Sequence, residues 1–192
     1  MSKVDLSNVT LICADGREPE QASSLLAKLS AEYTFCDSKL FSDNLASIKD
    51  YNLFIAKELV NHIDSDFCMI IQTDGYPVYP DGWEDCFLDY DYIGAPWYTQ
   101  PWPREKLVGN GGFSIRSKRF LEEASKIPFD GALGEDVFFC RIKDEELREK
   151  GIRFAPHDVA YRFAVEDMPW NGQFGFHGKV TVDINKHFGV WK

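Results

Sequence analysis

Short apolar runs ending in polar turns alternate along this chain with stretches of helical period. Phe67-Cys68-Met69-Ile70-Ile71 is an unbroken apolar run that gives way to Gln72-Thr73-Asp74-Gly75. A run of this length fits a buried strand, and the Asp-Gly pair with Pro77 beyond it marks where the strand stops. Asp74 then lies at the carboxyl end of a strand, where open α/β sheets hold their ligands. The other reading of Asp74-Gly75 is a plain turn.

The same logic orders the rest of the chain. Val9 to Ala14 predicts a first strand ending at Asp15-Gly16, and Pro19 opens a helix with Ala22, Leu25, Leu26 and Leu29 on one face. Tyr33 to Cys36 predicts a short strand closed by Asp37-Ser38. Asp50 is a candidate cap for a helix carrying Leu53, Ala56, Val60 and Ile63. Strand, helix, strand, helix, strand before Asp74 predicts an α/β fold with a mostly parallel central sheet flanked by helices. Further on, Tyr92-Ile93 and Phe113 to Arg116 read as strands, joined by a long Gly/Pro/Trp segment from Pro96 to Val108 with the character of a lid. Lys118 to Ile127 is helical with Phe120, Leu121, Ala124 and Ile127 inward. A helix begins at Gly134-Glu135-Asp136, Arg153 to Val165 looks strand-like, and Gly172 to Gly178 forms a glycine-aromatic loop.

Composition narrows the classes. The 192 residues read as a single domain, 1–192, and 44% hydrophobic with 27% charged residues is ordinary for a globular protein. A net charge of -10 without a basic stripe argues against a nucleic-acid partner, and an anionic ligand would need a local cation. The five cysteines show no metal-ligand spacing; their odd number and the lack of a leader point to a reducing, cytoplasmic setting. No apolar run has transmembrane length.

Three motifs carry candidate chemistry. Gly109-Asn110-Gly111-Gly112 can turn backbone N–H groups toward an anion or sugar hydroxyl, or simply make a tight turn before a strand. Glu135-Asp136 offers either a general base held by its neighbour or acidic compensation of a helix dipole. His177, flanked by Phe176 and Gly178, is a candidate metal ligand, though a lone histidine is a weak signal.

In their order, these pieces resemble the GT-A (Rossmann-related) fold of nucleotide-sugar-dependent glycosyltransferases. The phrases Gln72-Thr73-Asp74, Tyr90 to Trp97, Val108 to Ser114 and Glu135 to Phe139 look like a family of small glycosyltransferase-like domains. The resemblance implies a nucleotide-sugar donor, a carbohydrate or other hydroxyl acceptor, and a divalent metal, Mn2+ or Mg2+. It sets Gln72-Thr73-Asp74 in place of the family's Asp-x-Asp motif, with Asp74 and His177 as metal ligands. Gln72 replaces the first aspartate and offers a carbonyl oxygen without charge, so metal use is expected to be weaker. It makes Asp136 the catalytic base of an inverting reaction, beside Glu135. It also assigns Asn110, Gly111 and Gly112 to donor and acceptor, Thr73 to the same cleft, Trp97 to a sugar face, and Asp15, Arg17 and Asp37 to the nucleoside. The rival expectation is a non-catalytic relative that binds sugar nucleotides without turnover.

Overall fold

The computed structural model of the protein describes residues 3–97 and 108–178, so the central part of the proposed lid lies outside the described residues. Strand β1 (Val4–Ala14) is longer than its apolar run and sits second in a five-stranded sheet, in which the order is β2 (Tyr33–Phe41), β1, β3 (Phe67–Ile71), β6 (Ser114–Ser117) and β5 (Tyr92–Gly94). Beyond a register shift between Leu6 and Thr10, its side chains serve two cores in alternation. Leu11 and Cys13 face one cluster, while Ile12 and Ala14 face the other. Strand β3 (Phe67–Ile71) does the same, with Met69 and Ile71 on one side and Cys68 and Ile70 on the other. Both faces of these strands are covered, which is why the runs are continuously apolar rather than alternating.

Helix α1 (Pro19–Glu32) buries Ala22, Leu25, Leu26 and Leu29, the four residues its period predicts. It leads directly into β2 (Tyr33–Phe41), which runs five residues past the expected end at Cys36. Because β2 is an edge strand, it accepts the polar Asp37, Ser38 and Lys39 that make its second half look like a turn. Helix α2 (Ile48–Leu53) is capped by Ser47, not Asp50. Asp50 closes the reciprocal half of the capping box by accepting from the Ser47 N–H. The helix continues as a π-helical turn over Phe54–Glu58 and a 3-10 turn over Leu59–His62; the expected Ala56 and Ile63 are buried, but this change of winding buries Ile55 and Leu59 in place of the expected Leu53 and Val60.

The sheet is mixed. β1 pairs in parallel with β2 and β3, but β6 (Ser114–Ser117) runs antiparallel to both β3 and β5 (Tyr92–Gly94). The chain leaves β5 and returns beside it: Pro96 bridges Val108, and Asn110 N–H donates to the Ala95 carbonyl. That return reverses the direction of β6. Helix α3 (Lys118–Lys126) follows at once, with Phe120, Leu121 and Ala124 inward, and the short helices α4 (Glu135–Val137) and α5 (Asp144–Glu149) come after it.

Two expectations for the last third give way. Arg153 to Val165 is not one strand: helix α6 (His157–Phe163) occupies its middle, entered after Pro156 and burying Val159, Ala160 and Phe163 along one side. Gly172 to Gly178 is not all loop, because β8 (Gly175–His177) is the centre of a second, three-stranded sheet between β4 (Gly75–Pro77) and β7 (Ala164–Val165). Chain reversal between β3 and β4 takes two residues, Thr73 and Asp74, clasped by mutual backbone hydrogen bonds between Gln72 and Gly75. Among the described residues, no helix is long and apolar enough to cross a membrane.

The return loop packs tightly on β5. A Cβ at Gly94 would lie 2.0 Å from the backbone oxygen of Asn110. Gly94→Ala is expected to lower stability by about 1–3 kcal/mol, since backbone rather than a side-chain tip must move. Urea unfolding reads this; an unchanged midpoint would mean that the loop does not approach so closely.

Candidate functional site

The carboxyl end of β3 meets the glycine loop before β6 and the start of α4 (Glu135–Val137), and the candidate residues collect there. Deepest is Arg116, on β6, 1% exposed and lying over the ring of Tyr92. Its guanidinium holds Glu135 in a two-pronged ion pair, Nη1 to Oε2 and Nη2 to Oε1, each 2.7 Å. Glu135 is therefore a structural counter-ion, neither a helix cap nor a group free to react. Its neighbour Asp136 is held differently. Oδ2 accepts from Gly111 N–H at 2.9 Å and Oδ1 from Val137 N–H at 2.7 Å. Burial, then the charge of Glu135, pushes the Asp136 carboxyl up to about 6, with the two N–H groups pulling the other way.

The second half of the cluster centres on His177. Register pairs it with Gly75, next to Asp74, and Gly178 N–H donates to the Asp74 carbonyl. Nε2 of the ring lies 3.1 Å from Gln72 Oε1 and 3.8 Å from Asp74 Oδ1. Nδ1 lies 3.0 Å from Glu166 Oε1 and 2.9 Å from Asn110 Nδ2. Asn110 Oδ1 accepts from the Gly112 and Phe113 N–H groups, so its nitrogen must face the ring. Nδ1 thus meets an acceptor and a donor and can satisfy only one. Burial disfavours the imidazolium, but Glu166, Asp74 and Asp136 outweigh it and raise His177 above its ordinary value.

The glycines are explained by these side chains. A Cβ at Gly111 would meet Glu135 Oε1 at 2.4 Å, and one at Gly112 would meet His177 Nε2 at 2.0 Å. Their closest approach is to the protein's own polar side chains.

Beside this cluster lies a hollow of about 440 Å³ lined by Asp15, Arg17, Ser47, Tyr51, Gln72, Thr73 and Asp74, among others. Asp15 spends one oxygen on the N–H groups of Arg17 and Glu18, shaping the turn into α1. Arg17 is exposed along the rim. Asp37 does not join them. It sits within β2 rather than at its end, pairs with Lys39 at 3.4 Å and lines a different hollow. Trp97 has the Arg141 guanidinium 4.3 Å from its ring centroid, so one face is already covered.

Sequence reasoning missed four residues here. Arg116 carried a signal, a charge inside an otherwise buried strand, which demands a buried partner. Glu166, Tyr51 and Asn52 carried none. Asn52, buried in α2, donates both amide hydrogens to the carbonyls of Gly131 and Leu133, tying α2 to the loop that delivers Glu135-Asp136.

Among the described residues, no three His, Cys, Asp or Glu side chains are grouped to hold a metal ion. Asp74 Oδ1, His177 Nε2 and Gln72 Oε1 nevertheless converge. One carboxylate, one imidazole and one amide carbonyl fit a divalent ion that takes its other ligands from a bound phosphate, not one held by protein alone.

A family model described as "Protein of unknown function (DUF5672)" matches residues 35–177. No curated protein matches the sequence. Among solved structures, a glycosyltransferase involved in glycosylation of the major capsid of PBCV-1 shares the fold, with a TM-score of 0.50 at 12% identity, covering 93% of this chain and 98% of that one. A197 from STIV aligns at a TM-score of 0.40 and 18% identity over 80% of this chain and 82% of its own.

Removing one partner of the buried ion pair strands the other. Arg116→Met is expected to cost about 3–5 kcal/mol, and Arg116→Met with Glu135→Leu should recover most of it. Denaturant unfolding of the three proteins measures this; equal loss in the single and double variants would refute the pairing. The Asp136 value sets a second expectation. Its folded value of about 6 lies above the ordinary 3.8, so the native state takes up the proton first on acidification. Its contribution favours folding at low pH and is lost as pH rises through about 6. Asp136→Asn should therefore gain in stability relative to wild type as pH rises across that window, and a flat difference would contradict the shift.

Proposed function

The chain belongs to the DUF5672 family, and we propose that it is a nucleotide-sugar-dependent glycosyltransferase of GT-A type that inverts the transferred sugar. The observation that carries this reading is the pairing of a raised, half-buried Asp136 carboxylate with the Asp74–His177 cluster. The fold shared with a capsid-glycosylating enzyme supports it.

In this reading, the hollow beside Asp74 takes the nucleotide and diphosphate. Arg17 offers the rim a positive charge, while Asp15 acts on the turn that presents it. Asp74, His177 Nε2 and Gln72 Oε1 would hold a divalent ion, which when bound neutralises charge on the departing diphosphate. Glu166 orients the imidazole through Nδ1, the role that carboxylates commonly play behind a histidine ligand. Asp136 takes the proton from an acceptor hydroxyl as that oxygen bonds to the anomeric carbon and the bond from that carbon to the diphosphate oxygen breaks. A value near 6 leaves the carboxylate ionised at neutral pH yet basic enough to help. The backbone N–H groups that grip it fix its direction. Asn110 and the glycines shape the wall, and Trp97 offers at most one face to a sugar.

One observation favours the rival, a domain that binds sugar nucleotides without turnover: Gln72 already occupies His177 Nε2 and brings no charge. A panel of UDP- and GDP-sugars, assayed with and without manganese for donor cleavage and transfer, separates the two. Asp136→Asn is expected to lower turnover by roughly 10²–10⁴ with donor affinity retained. The wild-type rate should fall as pH drops through about 6, where Asp136 becomes protonated. Loss of donor binding in the variant, or an acid limb far below that value, would remove Asp136 from the role of base.

A further inference from the structure

We infer that Tyr51 is a sugar-contacting, specificity-determining residue, its hydroxyl donating a hydrogen bond to an oxygen of the transferred sugar. The inference rests on the glycosyltransferase reading and deepens it.

Two tyrosine hydroxyls among the described residues are buried without a hydrogen-bond partner, those of Tyr33 and Tyr51. Only the second lines the hollow and lies close enough to the proposed base to feel its charge. Tyr51 lines the hollow with Gln72 and Asp74, and its hydroxyl feels the charges of Glu135, Arg116 and Asp136. Gln72 faces the hydroxyl and acts on it as a donor, favouring the ionised phenol, so the hydroxyl proton itself is left without an acceptor.

A buried polar group left without a partner costs more than a made bond returns, so native folds keep few of them unless a ligand completes the set. Burial and the nearby carboxylates hold the phenol neutral, and a neutral phenol on this wall is foremost a donor. The nearby Glu135 is already saturated by Arg116, and the two Asp136 oxygens already accept from backbone N–H groups. Among the described residues no side chain accepts from it, and the acceptor we assign to it is a ligand's. With the diphosphate end at Asp74 and the base at Asp136, the group that passes between them is the sugar. Its hydroxyl and ring oxygens are acceptors of the required kind.

The hydroxyl is covered in the free protein. The Gln72 carbonyl oxygen is held by His177 Nε2. A divalent ion arriving at that nitrogen would displace this bond and draw Gln72 Oε1 onto itself, turning the amide. Donor entry and exposure of the Tyr51 hydroxyl are thus one event. A site that hydrogen-bonds a substrate oxygen rejects analogues lacking it far more strongly than an apolar pocket does, which assigns Tyr51 to sugar choice.

Tyr51→Phe removes a single oxygen and tests this directly. Thermal unfolding of the free variant comes first: an unchanged or raised midpoint is expected, because the atom lost had no partner. A lowered midpoint would reveal a structural partner and overturn the inference. Binding is then measured with UDP and GDP, and with UDP-glucose, UDP-galactose, UDP-N-acetylglucosamine and GDP-mannose, each with manganese. The expected result is unchanged affinity for the nucleoside diphosphate and a roughly tenfold or greater loss for the sugar nucleotide that wild type prefers. Equal affinity for that sugar nucleotide in both proteins would sink the role of Tyr51 and leave the glycosyltransferase reading standing. A parallel loss for diphosphate and sugar nucleotide would show that Tyr51 reads the nucleotide, also against the inference. Wild type that responds to no member of the panel would overturn the underlying reading and the inference with it.

Discussion

The Arg116–Glu135 pair is the constraint on which the site depends. It spans from the middle of the sheet to the first turn of α4, wholly out of water, and it is satisfied on both oxygens. Buried ion pairs are weak sources of net stability, because desolvation consumes much of the attraction. What this one supplies is position and charge allocation. Two adjacent carboxylates would ordinarily share their environment. Here one is neutralised by a guanidinium and the other is not, so all of the uncompensated basicity falls on Asp136. Neighbouring acids pushed into different roles by their surroundings are a recurring device in active sites.

Around that pair, the glycine loop works as a joint where several side chains are pressed against bare backbone. Gly111 receives the Arg116–Glu135–Asp136 group and Gly112 receives His177, while Asn110 ties the loop to the imidazole. Removing side chains there lets groups from β6, α4 and β8 come within contact of one another. The conformational freedom of glycine is a minor part of the explanation, since neither Gly111 nor Gly112 has a positive φ.

Much of this was legible in the chain because both faces of β1 and β3 are covered, which writes continuous apolar runs into the sequence, and because α1 and α3 bury one clean stripe. Strand direction was not legible: nothing in Ser114 to Ser117 says that β6 runs backward, since that follows from the path of a preceding loop. The end of β2 was hidden by its edge position, and with it the location of Asp37. Helix α6 was mistaken for a strand because Phe154, Ala155, Ala164 and Val165 are buried on either side of it and mask its own period. Of the site, the residues that meet were those adjoining turn signals: Asp74, Asn110, Gly111, Gly112, Glu135, Asp136 and His177. Those that hold them, Arg116, Glu166 and Asn52, act across long sequence separations and leave no local pattern.

The two-residue reversal at Thr73-Asp74 has a bearing on how the molecule acquires its chemistry. Its second strand finds its partner in β8, which emerges from synthesis roughly a hundred residues later. Closing so distant a contact carries a large chain-entropy cost and comes after the local pairings. The carboxylate and the imidazole therefore become neighbours only when nearly all of the described chain is in place. A nascent or truncated polypeptide ending before Gly175 can form the main sheet, but it lacks Phe176 from one core and leaves Asp74 without its imidazole neighbour, so this corner is assembled as a final act of folding.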